Sequence, residues 1–140
     1  MMDLQNARRL LEEGGYTCVI CRGAEINTAT ARGVRPLVNW LDAGLDVRGG
    51  CAADKVVGKA TAFLYCLLGV KAVYAGIMSR GAAEVLENAG IEARYGKLVP
   101  GIINRAGTGP CPFEAAVSAI SAADQAMAAI RQKMKEMNIV

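Results

Sequence analysis

The 140-residue chain is 53% apolar and 21% charged, with a formal net charge of +3. That balance excludes a disordered chain and predicts a single globular domain. No apolar run reaches the roughly 18 residues of a spanning helix, and the first residues form no apolar signal core, so a cytoplasmic protein with no membrane partner is expected. Lys and Arg are scattered and aromatics make up 5%, which argues against nucleic acid as a partner. Histidine is absent. Its absence removes the usual general base, the Ser-His and Cys-His nucleophile pairs and the commonest metal ligand.

The pattern predicts a helix over residues 3–13, with Leu4, Ala7, Leu10 and Leu11 as its apolar stripe. Strands over 16–22 and 25–31 follow as a hairpin around Gly23-Ala24. A short helix is expected over 36–43, opened by Pro36. A long, centrally buried helix is read over 52–68, because Ala60, Ala62, Phe63, Leu64, Cys66 and Leu67 are apolar nearly all round. Residues 70–77 read as a central strand. Ser79 is the expected cap of a helix over 80–88. A strand over 91–99, a glycine-rich loop to Pro110, and helices over 112–120 and 122–137 complete the chain. Ala126, Met127, Ile130, Met134 and Met137 on the last helix suggest an apolar face for a homodimer.

Five cysteines, Cys18, Cys21, Cys51, Cys66 and Cys111, are an odd count read as thiols. Cys18 and Cys21 form a C-x-x-C on a strand, where residues three apart point to opposite faces. With no second cysteine pair, no metal and no cofactor are expected.

The densest polar segment is Gly49-Gly-Cys-Ala-Ala-Asp-Lys-Val-Val-Gly-Lys59. Read as the opening of the long helix, it places Asp54 and Lys55 in the first turn and Lys59 one turn on, beside a positive dipole end suited to an anion. Gly58 then falls mid-helix, where it implies a close backbone approach. The segment is not a phosphate-binding G-x-x-x-x-G-K-[ST] loop, because Ala53 and Ala60 stand where Gly and Ser or Thr belong. A second segment, Asn104-Arg-Ala-Gly-Thr-Gly-Pro-Cys-Pro-Phe-Glu114, sets Cys111 before a helix, with Arg105 and Glu114 nearby. A helix N-terminus lowers a thiol pKa, so Cys111 is a candidate nucleophile. Arg35, in Arg32-Gly-Val-Arg-Pro, is a further candidate anion contact.

The element order resembles the cytidine deaminase-like superfamily over roughly residues 3–120. Gly33-Val-Arg-Pro-Leu-Val, Ala53-Asp-Lys-Val-Val-Gly-Lys-Ala and Cys111-Pro-Phe-Glu resemble a small bacterial branch of it, a domain of unknown function. The resemblance implies a three-layer α/β/α fold with a mixed sheet of about five strands. Zinc deaminases open the central helix with His or Cys followed by Ala-Glu, and the next helix with Pro-Cys-x-x-Cys. Cys51-Ala52 echoes the first motif, but Ala53 replaces the glutamate and no cysteine follows at Ser79 and Arg80. Zinc and deamination are therefore not carried over. The expected site is a convergence of Asp54, Lys55, Ser79 and Arg80 at two helix N-termini, with Cys51, Lys59, Arg35, Arg105 and Glu114 as ligand contacts. Asp54, Lys55 and Cys111 are the candidate catalytic residues of a metal-independent enzyme acting on a small anionic or nucleotide-like molecule. The alternative is a non-catalytic ligand-binding or dimeric regulatory protein.

Overall fold

The computed structural model of the chain describes residues 2–104 and 107–138. Its elements are α1 (Met2–Gly14), β1 (Cys18–Arg22), β2 (Glu25–Ala29), α2 (Arg35–Asp42), β3 (Cys51–Val57), α3 (Lys59–Leu68), β4 (Ala72–Ser79), α4 (Arg80–Asn88), β5 (Glu92–Val99), α5 (Pro112–Val117) and α6 (Ala123–Glu136). The five strands form one mixed sheet in the order β2-β1-β3-β4-β5. β1 is antiparallel to both neighbours, and β3, β4 and β5 are parallel. Helices cover both faces, which is the three-layer architecture expected.

The long helix over 52–68 is not formed. Residues 51–57 are the central strand β3, and the helix begins only at Lys59, after Gly58. Ala52 and Ala53 are helix formers by intrinsic propensity. Here both are fully buried, on opposite faces of the sheet. A strand covered on both sides has no polar alternation, so its apolar run cannot be told from a buried helix by periodicity. The β-branched Val56-Val57 pair suits a strand, and Gly58 in an extended conformation breaks to the helix.

One face of the sheet carries the larger core. Ile20, Val73 and Ala75 meet Leu37 of α2, Leu64 of α3, Leu86 of α4, Val117 of α5 and Ile130 of α6. The other face is covered by α1, whose Leu4, Ala7 and Leu11 lie on Val19, Cys21, Cys51, Ala53 and Tyr74. Cys18 belongs to the first core and Cys21 to the second, so the C-x-x-C thiols are separated by the sheet. The apolar stripe of α6 is likewise internal. Ala126 and Ile130 are fully buried and Met134 nearly so, packed in the chain's own core, whereas Met137 is exposed. The feature that recommended α6 as a dimer face is thus core packing. Among the described residues, no helix is long and apolar enough to cross a membrane.

Strands β2, β3, β4 and β5 all end at the same edge of the sheet, because β2 and β3 each pair antiparallel to β1. Each is followed by a helix, so the N-termini of α2, α3, α4 and α5 gather at that edge. Ligands of open α/β sheets bind beyond the carboxyl ends of the strands. The loop from β2 to α2 is pinned there by Thr17, whose hydroxyl donates to the carbonyls of Ala29 and Ala31 at 3.0 and 2.7 Å.

Candidate functional site

The N-terminus of α3 lies at the centre of this edge. Its first amides are satisfied from far along the chain: the Glu114 carboxylate of α5 accepts the Lys59 N–H at 2.6 Å through Oε1 and the Ala60 N–H at 2.9 Å through Oε2. A carboxylate in this place meets both the orphan donors and the positive end of the helix dipole. Gly58 leaves room beside it, since a β-carbon there would push the end of the Glu114 side chain out of this position. This is the close approach that a glycine at 58 implied, although Gly58 precedes the helix. The Lys59 ammonium donates to the Ser118 carbonyl at 3.0 Å, a second tie between α3 and the α5 segment.

The N-terminus of α4 lies alongside. Ser79 caps it as expected, its hydroxyl accepting the Ala82 N–H at 3.1 Å. A β-carbon on Gly81 would stand 3.7 Å from Lys59 Cδ, so the two helix starts are in contact. Between α3 and α4 runs an open groove of about 300 Å³ lined by Lys59, Phe63, Cys66, Glu84, Val85 and Ile120, among others. Arg80 and Arg35 are exposed at the starts of α4 and α2. Cys111 is the residue before α5, half-buried, its N–H donating to the Ile102 carbonyl at 2.9 Å. Arg105 lies outside the described residues.

Asp54 and Lys55 stand on β3, not in a helical first turn, and they point to opposite sides. Lys55 is exposed and faces a shallow hollow on the α1 side with Leu11, Tyr74 and Gly76. Asp54 is buried on the other side, under α3. The Tyr65 hydroxyl donates to Asp54 Oδ2 at 2.7 Å, and the Val56 N–H donates to Oδ1 at 3.3 Å. Cys18 Sγ lies 3.0 Å from Tyr65 Oη, where either can donate. Cys51 sits at the start of β3, on the edge opposite the α3 N-terminus, within the α1 core. Burial pushes its thiol up, and Cys51-Ala52 opens a strand, not a helix. Among the described residues, no group of three or more His, Cys, Asp or Glu could hold a metal ion.

Tyr65 is the member of this region that sequence reasoning missed. A tyrosine inside the apolar run of α3 was the available signal, because a buried phenol needs a polar partner. Burial lifts the Asp54 carboxyl from the ordinary value of 3.8 to about 6, against the opposing hydrogen bonds from Tyr65 and the Val56 and Lys55 amides.

A folded-state pKa above the unfolded one means that the native state holds the proton more tightly. Its stabilising effect is complete below pH 4 and is lost as pH rises through 6. The loss should reach about 3 kcal/mol by pH 7.5, because a tenfold difference in proton affinity is worth about 1.4 kcal/mol. Asp54→Asn, whose carbonyl still accepts the Val56 N–H while its amide donates to Tyr65 Oη, should lack this decline and be the more stable protein at pH 7.5. Urea unfolding of both proteins at pH 4.5 and 7.5 measures it, and equal pH slopes would refute the assignment.

The fold and this geometry can be set against known proteins. A protein of the family DUF1893 (TM1506) from Thermotoga maritima has the same fold, with a TM-score of 0.85 at 22% identity over 93% of this chain and 88% of its own. A diaminohydroxyphosphoribosylaminopyrimidine deaminase/5-amino-6-(5-phosphoribosylamino)uracil reductase from the same organism aligns with a TM-score of 0.44 and 17% identity. That alignment covers 68% of this chain and 35% of the bifunctional protein. Comparison with curated proteins gave no match. The profile of DUF1893, a domain of unknown function, matches residues 6–134, and the chain belongs to that family.

Proposed function

We propose that the protein binds a small anionic, nucleotide-like ligand at the edge where the four helix N-termini gather. One observation carries this reading. Arg32 and Arg35 before and within the start of α2, Arg80 at the start of α4 and Lys97 near the end of β5 take part in no ion pair among the described residues. Elsewhere Arg8, Arg22, Arg48, Arg94 and Arg131 each pair with a carboxylate, while Arg9, Lys55, Lys71 and Lys135 take part in no ion pair among the described residues and stand apart from one another. Unpaired cations beside helix N-termini form an electropositive rim that attracts phosphate or carboxylate groups. Binding is favoured over catalysis because the proposed catalytic groups share no reaction site. Asp54 is enclosed with its oxygens hydrogen-bonded, and Lys55 faces the opposite side of the sheet.

Thermal melts with inorganic phosphate, nucleoside monophosphates, sugar phosphates and neutral nucleosides test the reading. The phosphate-bearing compounds should raise the melting temperature and the nucleosides should not, since a ligand at 100 times its Kd adds about 2.7 kcal/mol. An Arg35→Ala, Arg80→Ala double variant should melt like the parent alone but lose most of the ligand shift. A parent protein indifferent to every anion, or a double variant that responds in full, would remove the support for this site.

A further inference from the structure

Cys21 of β1 and Cys51 of β3 are direct cross-strand partners on the face of the sheet covered by α1. Both are enclosed beneath Leu4, Ala7 and Leu11, with 1% and 0% of their surface exposed. The entry to β3 lies close against β1 at this point. A β-carbon on Gly50 would stand 2.9 Å from the Cys21 carbonyl oxygen, so a glycine there lets the two backbones approach. Among the five cysteines no other two are placed in this way. Cys18 lies on the opposite face of β1 with Asp54 as its partner, and Cys66 and Cys111 pack against the core on that same opposite side.

Directly opposed residues of antiparallel strands have α-carbons roughly 4.5–5.5 Å apart, inside the roughly 4.4–6.8 Å span of disulfides. Their β-carbons are roughly 4.5–5.5 Å apart, against roughly 3.5–4.5 Å in a disulfide. A bond therefore needs a small inward shift of the two strands and is reduced more readily than an unstrained one. With α1 docked, the thiols are poor nucleophiles. Burial raises the pKa of each, so little thiolate is present, and the enclosure keeps an oxidant out. α1 holds this cover through its apolar stripe and the stacking of Arg8 on Tyr74. A single peripheral helix opens at less cost than the whole fold.

We propose that Cys21 and Cys51 are a redox modification site, a thiol pair that hydrogen peroxide oxidises to an intramolecular disulfide when α1 lifts from the sheet and that a dithiol reductant restores. The site is independent of the anion site above. One thiolate attacks a peroxide oxygen, the O–O bond breaks, and a sulfenic acid and water are formed. The second thiolate attacks the oxidised sulfur. The S–S bond forms, the S–O bond breaks and hydroxide leaves as water. The two sulfurs lose two electrons, the peroxide gains them, and both thiol protons end in water. The bond joins β1 to β3 covalently and closes residues 22–50, with β2 and α2 among them, into a ring.

The full chain is treated with hydrogen peroxide, unfolded in an alkylating agent and mapped by peptide mass spectrometry. Cys21 and Cys51 should be joined with the loss of two hydrogens, and dithiothreitol should return both thiols. Cys18→Ser should keep the bond, whereas Cys21→Ser and Cys51→Ser should lack it. The route is read from the rate of bond formation. Arg8→Ala, which removes the stack on Tyr74 and loosens α1, should speed it about two- to fivefold. Ile130→Val, which weakens the core on the other face, should leave the rate unchanged. Peroxide that leaves Cys21 and Cys51 unjoined, or joins either to another cysteine, overturns the site. No acceleration by Arg8→Ala, or acceleration by Ile130→Val as well, overturns the role of α1.

Discussion

Ile130→Ala is expected to destabilise the protein by about 2–5 kcal/mol, lowering the melting temperature by on the order of 10 °C. Ile130 is fully buried among residues of the main core. Truncation there leaves a cavity that α6 can close only by shifting against α3 and α5. α6 is also held to α2 by Arg131, whose Nη1 donates to Asp42 Oδ2 at 3.2 Å. A position on an external interface would behave otherwise. The monomer would lose little from the substitution, and its unfolding midpoint would depend on protein concentration. Chemical unfolding at two protein concentrations separates the cases, and a loss below about 1 kcal/mol would contradict the core assignment.

Glu114→Ala should cost about 2–3 kcal/mol, because two amides at the start of α3 lose a charged acceptor at once. Gly58→Ala should approach the same loss by another route, since its methyl group displaces the same carboxylate. The double variant should then fall well short of the sum of the singles. Small anions supply the check: formate or acetate at high concentration should recover part of the Glu114→Ala stability, raising it by more than they raise that of the parent. Strictly additive losses with no recovery by anions would mean that Glu114 does not act through the helix amides.

The elements that sequence reasoning placed well are those whose patterns are local. The stripe of Leu4, Ala7 and Leu11 specified α1, the Ser79 hydroxyl marked the start of α4, and the apolar run before it, with Val73, Tyr74 and Ile77, specified β4. What failed was the segment from Cys51 to Val57, where burial on both faces erases the alternation that identifies a strand. That single error displaced the candidate site, because it put the helix start at Ala52 instead of Lys59 and so set Asp54 and Lys55 in a first turn that does not exist. Glu114 shows the second limit. The sequence places it beside Cys111 as a ligand contact in the first turn of α5, yet its oxygens serve α3, 55 positions away. No spacing in the sequence records such a contact, since only the packing of α5 on α3 creates it.

The lone cover of α1 on its face of the sheet has a consequence for biosynthesis. Its first turns leave the ribosome early, but their seat includes Ala72 and Tyr74 of β4, over which the Arg8 guanidinium stacks at 4.3 Å from the Tyr74 ring. At translation rates of 5–20 residues per second, β4 follows α1 by roughly 3–12 s. Over that interval the apolar stripe of α1 has no completed surface to dock on. A nascent chain arrested before residue 72 should therefore expose α1 to proteases, and one extended past β4 should protect it.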